Sequence, residues 1–125
     1  MIKLILLAGT GGFLGTTARF LTSRYFATYF PSSFPYATFV VNVIGCLLIG
    51  IIYGIAEKGD FMSSEWRMFL TVGFCGGFTT FSAFAAENIA MLRDTEYFNF
   101  FFYTGSSVLI GLLATFAGIM ITKIL

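Results

Sequence analysis

Hydrophobic runs with few charges divide this chain into four segments of about 20 residues or more, the length an α-helix needs to cross a bilayer. The first runs from about Ile2 to Tyr25 and ends before a turn between Pro31 and Pro35. The second runs from about Tyr36 to Ala56 and stops at Glu57, Lys58, Gly59 and Asp60. The third begins near Trp66 and fades toward Met91, ahead of Arg93, Asp94 and Glu96. The fourth starts near Tyr97 and reaches the C-terminus, with Lys123 at its exit. The pattern predicts an all-α membrane protein: one four-helix transmembrane domain over residues 1–125, with no room for a soluble domain.

Composition sharpens that reading. The chain is 58% hydrophobic and 10% charged, where a soluble domain carries roughly a quarter charged residues. A net charge of +1 offers no electrostatic basis for binding nucleic acid or for a polybasic patch on a lipid surface. Histidine is absent, which removes the commonest proton shuttle and metal ligand. Cys46 and Cys75 both fall inside predicted spans and read as small apolar packers rather than a disulfide or metal pair. Lys3 and the apolar residues after it resemble a signal peptide, but Gly9, Gly11, Gly12 and Gly15 read better as packing residues of a retained first span. Gly11 with Gly15, Gly50 with Gly54, and Ala114 with Gly118 are small-residue pairs that let helix backbones approach.

Lysine and arginine in the short loops set orientation. Lys3, Lys58, Arg67 and Lys123 fall on one side; Arg24 and Arg93 fall on the other, with Arg19 if it lies near its helix end. So small a bias permits insertion in both directions and an inverted pair of copies. A fixed topology with poorly marked loops is the alternative.

Polar groups inside a span are costly and need a partner or a pathway. Arg19 is expected about a turn and a half before the end of the first helix, where it either snorkels to the interface or serves a path. Asn42 lies about two turns into the second span with Thr38 one turn before it, placed for an inter-helix hydrogen bond or for a ligand. Tyr103, Ser107 and Thr115 share one face of the fourth span, and Gly111 stands where another hydroxyl would continue the row. The third span carries the strongest signal. Gly76, Gly77, Thr79 and Thr80 are poor helix formers and predict a break near its middle. Irregular backbone at membrane depth survives only when buried in protein or lining a cavity, and its freed carbonyls suit a hard cation. A structural glycine kink is the plainer reading. Phe81 and Phe84 follow three residues apart. Glu87 is the only carboxylate expected well inside the membrane, where a salt bridge with an arginine would account for it without any transport role.

These residues in this order resemble the CrcB/Fluc family of fluoride channels over nearly the whole chain. GGFLGTTARF (Gly11 to Phe20) fits the family's glycines and arginine, ATFVVNVIG (Ala37 to Gly45) its threonine and asparagine, and GFCGGFTTFSAFAAE (Gly73 to Glu87) its central signature. Ala37 stands where glycine is usual and Ala83 where threonine is common. Gly111 and Ala83 lack hydroxyls that the family pattern carries. The resemblance implies a fluoride-selective ion channel, not an enzyme, giving passive fluoride efflux and resistance to fluoride toxicity. It implies an antiparallel dual-topology homodimer in the lipid bilayer of the plasma membrane, with two fluoride pores and one central structural sodium ion. The sodium ligands would be the backbone carbonyls of Gly76 and Thr79 from both copies. Phe81 and Phe84 would line the fluoride path, Asn42 would donate to the ion, and Thr38, Thr80, Ser82, Tyr103 and Ser107 would supply hydroxyls. Arg19 would sit at the aqueous vestibule, and Glu87 has no assigned role. The main rival is a small dual-topology multidrug-type cation exporter, which needs a carboxylate deep in its first helix; here that helix has Arg19 and no acid. A non-transporting assembly subunit is a second rival, but it leaves the broken third span unexplained.

Overall fold

The computed structural model describes residues 1–59 and 61–125; Asp60, assigned above to the turn after the second span, lies outside the described residues. Helix α1 spans Ile2–Tyr29, α2 spans Tyr36–Glu57, and the third span covers Ser64–Arg93. It comprises α3 (Ser64–Met68), a π-helical stretch (Phe69–Cys75), α4 (Gly76–Phe78) and, after two extended residues, α5 (Phe81–Arg93). The last span is α6, Tyr97–Ile124. All four spans are long and apolar enough to cross a membrane. Large apolar side chains such as Phe13, Phe98 and Leu112 stand mostly exposed on the outside, as a lipid-facing surface requires.

The first helix runs one turn further than its hydrophobic pattern predicts. Aromatic pairs one turn apart support the extension: the rings of Tyr25 and Tyr29 lie 5.1 Å apart, and those of Phe26 and Phe30 5.7 Å. Arg19 therefore sits ten residues before the helix end, about 15 Å along the axis, rather than a turn and a half from it.

Small residues bring the spans together. A Cβ on Gly11 would fall 2.5 Å from the Phe69 carbonyl oxygen, and one on Gly15 would overlap the Phe74 carbonyl, so α1 packs backbone-to-backbone on the π stretch. Gly50 meets the Thr115 carbonyl and Gly118 the Leu47 carbonyl, which joins α2 to α6 in the same way. Lys3 Nζ reaches Glu65 Oε1 at 3.1 Å and ties the N-terminus to the start of the third span. Phe34, in the α1–α2 turn, packs edge-on against Tyr103 of α6 with centroids 5.4 Å apart at the other end.

The third span departs from its expectation in two ways. Gly76 and Gly77 stay helical, and only Thr79 (φ −87°, ψ 160°) and Thr80 (φ −153°, ψ 122°) leave the helix. Gly77 serves proximity instead: a Cβ there would lie 2.6 Å from the Gly12 carbonyl oxygen and 2.9 Å from Thr16 Oγ1. The π stretch before it was not anticipated, because apolar spacing carries no mark of an i+5 ladder.

Candidate ion path

Side chains from neighbouring helices take over where the third span gives up its own hydrogen bonds. In an unbroken helix the amide of Thr80 would close on the Gly76 carbonyl, and that of Ala83 on the Thr79 carbonyl. Here Thr80 N donates to Asn42 Oδ1 at 2.8 Å, and Asn42 Nδ2 donates back to Thr80 O at 3.1 Å. The Thr80 hydroxyl caps α5 by accepting from Ala83 N at 3.2 Å, the N-cap arrangement that threonine favours. From α1, Arg19 Nε donates to Gly77 O at 3.1 Å. The amides that would occupy the Gly76 and Thr79 carbonyls are thereby spent elsewhere.

Beside the break lies a cavity of about 410 Å³ between α2, the Thr79–Thr80 step and α6, lined in part by Asn42, Thr80, Phe81, Phe84, Ser107 and Thr115. The rings of Phe81 and Phe84 form an edge-to-face pair with centroids 5.8 Å apart. Phe81 is 69% exposed on the single chain, so one copy leaves this wall open. Ser107 Oγ is buried and, among the described residues, the only such side-chain atom without a hydrogen-bond partner. A hydroxyl stranded this way costs about 1–3 kcal/mol, and its residue is one of those that line the cavity. Asn42 commits one of its two amide hydrogens to Thr80 O and holds the other in reserve.

The polar stripe of α6 is split between duties. Thr115 donates to the Cys46 carbonyl at 3.0 Å. A Cβ on Gly111 would lie 3.4 Å from Cys46 Sγ, so α2 crosses close to α6 where the row lacks a hydroxyl. Tyr103, fully buried, donates to Glu87 Oε1 at 2.8 Å, while Thr38 donates to Glu87 Oε2 at 2.7 Å. Glu87 thus joins α2, α5 and α6 through two hydroxyls, in place of the arginine partner considered above. Tyr103 and Thr38 spend their donors on this carboxyl, although the Tyr103 ring still touches Phe84 with centroids 5.0 Å apart.

Of the residues singled out in sequence, Asn42, Thr79, Thr80, Phe81, Phe84 and Ser107 share one cavity wall. Ser82 is adjacent, its Oγ 3.4 Å from Thr80 Oγ1. Thr38, Glu87 and Tyr103 form a separate cluster one turn away; Arg19 reaches the break from the α1 side, and Gly76 is exposed, where a Cβ would meet only the Thr71 carbonyl of its own span at 3.7 Å. Sequence reasoning missed the pair Asn88 and Thr104. Thr104 Oγ1 donates to Asn88 Oδ1 at 2.8 Å, and Asn88 Nδ2 donates to Phe84 O at 2.9 Å. An asparagine one turn after Phe84 in an apolar helix was the available signal.

The chain is similar in sequence to known proteins along nearly its whole length. A family model described as CrcB-like protein, Camphor Resistance (CrcB), matches residues 6–119. A protein of Flavobacterium psychrophilum named fluoride-specific ion channel FluC is 45% identical over 98% of this chain and 98% of its own. Proteins of the same name from Chlorobium luteolum and Bacteroides fragilis are 45% and 46% identical over 95% and 94% of this chain, and over 92% and 94% of their own. With four membrane spans and matches along almost its whole length, the chain belongs to the CrcB family.

Proposed function

We propose that this protein is a fluoride-selective channel, multi-pass in the plasma membrane, that releases fluoride passively and is not an enzyme. The observation that carries the reading is the cavity shared by Asn42, Phe81, Phe84 and the unpartnered hydroxyl of Ser107. Fluoride is small and holds its water tightly, so a pore must replace that water with fixed donors. Ser107 and the second amide hydrogen of Asn42 are such donors. Phenylalanine edges carry the positive part of the ring quadrupole, so an anion can pass where the ring faces would repel it. A negative-inside potential drives a monovalent anion outward by about 2.3 kcal/mol per 100 mV. The multidrug-type exporter is disfavoured: no acid lies in α1, and the relatives carry the name of a fluoride channel.

The working unit is an antiparallel homodimer of oppositely inserted copies. The exposed ring of Phe81 beside the cavity and the near-equal loop charges support it. A sodium ion at the dimer centre fits the residues present, since the amides that would occupy the Gly76 and Thr79 carbonyls are diverted. Those carbonyls, from both copies, would hold it. When bound, the ion supplies a fixed positive charge and cross-links the two breaks. Flux from proteoliposomes loaded with fluoride, chloride or a drug cation tests the proposal. Selective fluoride release supports it, and drug-cation exchange against protons would overturn it.

A further inference from the structure

Two side chains from neighbouring helices engage the backbone of the third span at its break. Between Gly76 and Thr80, Arg19 takes the Gly77 carbonyl from the α1 side at 3.1 Å. Asn42 grips the Thr80 peptide from the α2 side, at 2.8 Å on the N–H and 3.1 Å on the carbonyl. The Gly76, Phe78 and Thr79 carbonyls are the ones these contacts leave over, and two of the three are the sodium ligands proposed above. We infer that Arg19 and Asn42 are positioning residues for the cation, acting through the backbone they hold. The inference rests on the sodium reading proposed above and deepens it. Asn42 would then serve both ions, with one edge of its amide group on the break and its remaining hydrogen toward the anion path.

The two simplest roles for Arg19 predict opposite signs. As a bare positive charge it repels a nearby cation, so removing it should tighten sodium binding. As a holder of the Gly77 carbonyl, its removal lets the peptide planes on either side rotate and should weaken binding. The guanidinium Nε–H is fixed in a planar fork that lysine cannot reproduce, so charge alone should not substitute for it.

The test is sodium-dependent thermal unfolding of the purified full-length protein in detergent, titrated with sodium chloride at constant ionic strength against N-methylglucamine. The half-saturating sodium concentration is read rather than the melting temperature itself, because a general packing defect moves the second and leaves the first. For Arg19→Met, Arg19→Lys and Asn42→Leu we expect that concentration to rise tenfold or more. A value for Arg19→Met at or below that of wild type would overturn the positioning role of Arg19. Should Arg19→Met not fold, Arg19→Lys decides, since unchanged sodium affinity with the charge kept would equally overturn it. An unchanged value in Asn42→Leu would overturn the role of Asn42. Wild-type melting that ignores sodium would instead overturn the cation reading itself.

Discussion

Replacing Glu87 by alanine should destabilise the protein severely, and replacing it by glutamine should not. Glu87 accepts from Thr38 at 2.7 Å and from Tyr103 at 2.8 Å, and both donors are buried, Tyr103 completely. Alanine strands two hydroxyls away from water. At about 1–3 kcal/mol for each buried group left unpaired, the expected loss is about 2–6 kcal/mol. Glutamine can accept one hydroxyl on its carbonyl oxygen and donate to the other hydroxyl's lone pair, which keeps the cost under about 1.5 kcal/mol. Equilibrium unfolding of the purified protein in detergent measures both. A double-mutant cycle with Tyr103→Phe should return a coupling between about 0.5 and 3 kcal/mol, the range for residues in direct contact. An alanine variant within about 0.5 kcal/mol of wild type, the scatter of an ordinary surface change, would refute the reasoning. So would a glutamine variant less stable than alanine. Because the Tyr103 ring rests on Phe84, the alanine variant that does fold should also conduct fluoride less selectively.

Further outcomes follow from other contacts. Phe81→Leu and Phe84→Leu should each leave a folded protein, within about 1.5 kcal/mol of wild type, yet sharply reduce fluoride flux from proteoliposomes; Phe98→Leu, at a 79% exposed ring, is the control and should conduct normally. Gly15→Ala and Gly50→Ala should each lower the melting temperature of the purified protein, because the new methyl would meet the backbone carbonyls of Phe74 and Thr115 in neighbouring helices of the same chain rather than side chains that can turn aside. Two or three lysines added beside Lys58 should trap one orientation and abolish flux, and an oppositely biased copy should restore it; full activity from one biased copy alone would reject the antiparallel dimer.

The four spans were legible because hydrocarbon tolerates few charges, and Glu57, Lys58, Arg93 and Asp94 mark where water begins. The residues of the cavity were legible too, since Asn42, Ser107 and the Thr79–Thr80 pair are costly at that depth without a purpose. What escaped was how those costs are met. Spacing places Thr38, Glu87 and Tyr103 on separate helices, and only the fold brings two hydroxyls from α2 and α6 onto one carboxyl of α5. The glycines misled for a related reason. A glycine pair reads as a helix breaker, yet Gly77 is small because Gly12 and Thr16 of α1 crowd it, a contact that lies more than the length of two spans away in sequence. Arg19 was misplaced by the end assigned to α1, which aromatic pairs rather than aliphatic residues carry one turn further.

The interruption at Thr79 and Thr80 also changes the electrostatics of the span. Peptide dipoles along a helix add to about half a positive charge at the N-terminus and half a negative charge at the C-terminus. A straight helix from Ser64 to Arg93 would set both poles near the membrane surfaces, where water screens them. Cut at Thr79, the same span places a second pair of poles in the low-dielectric interior. The negative end of the first half falls at Gly76–Phe78, and the positive end of α5 begins at Phe81, in the wall of the cavity. Two residues of extended backbone therefore create, side by side, a locus that favours a cation and a locus that favours an anion, in a segment where neither carries a formal charge.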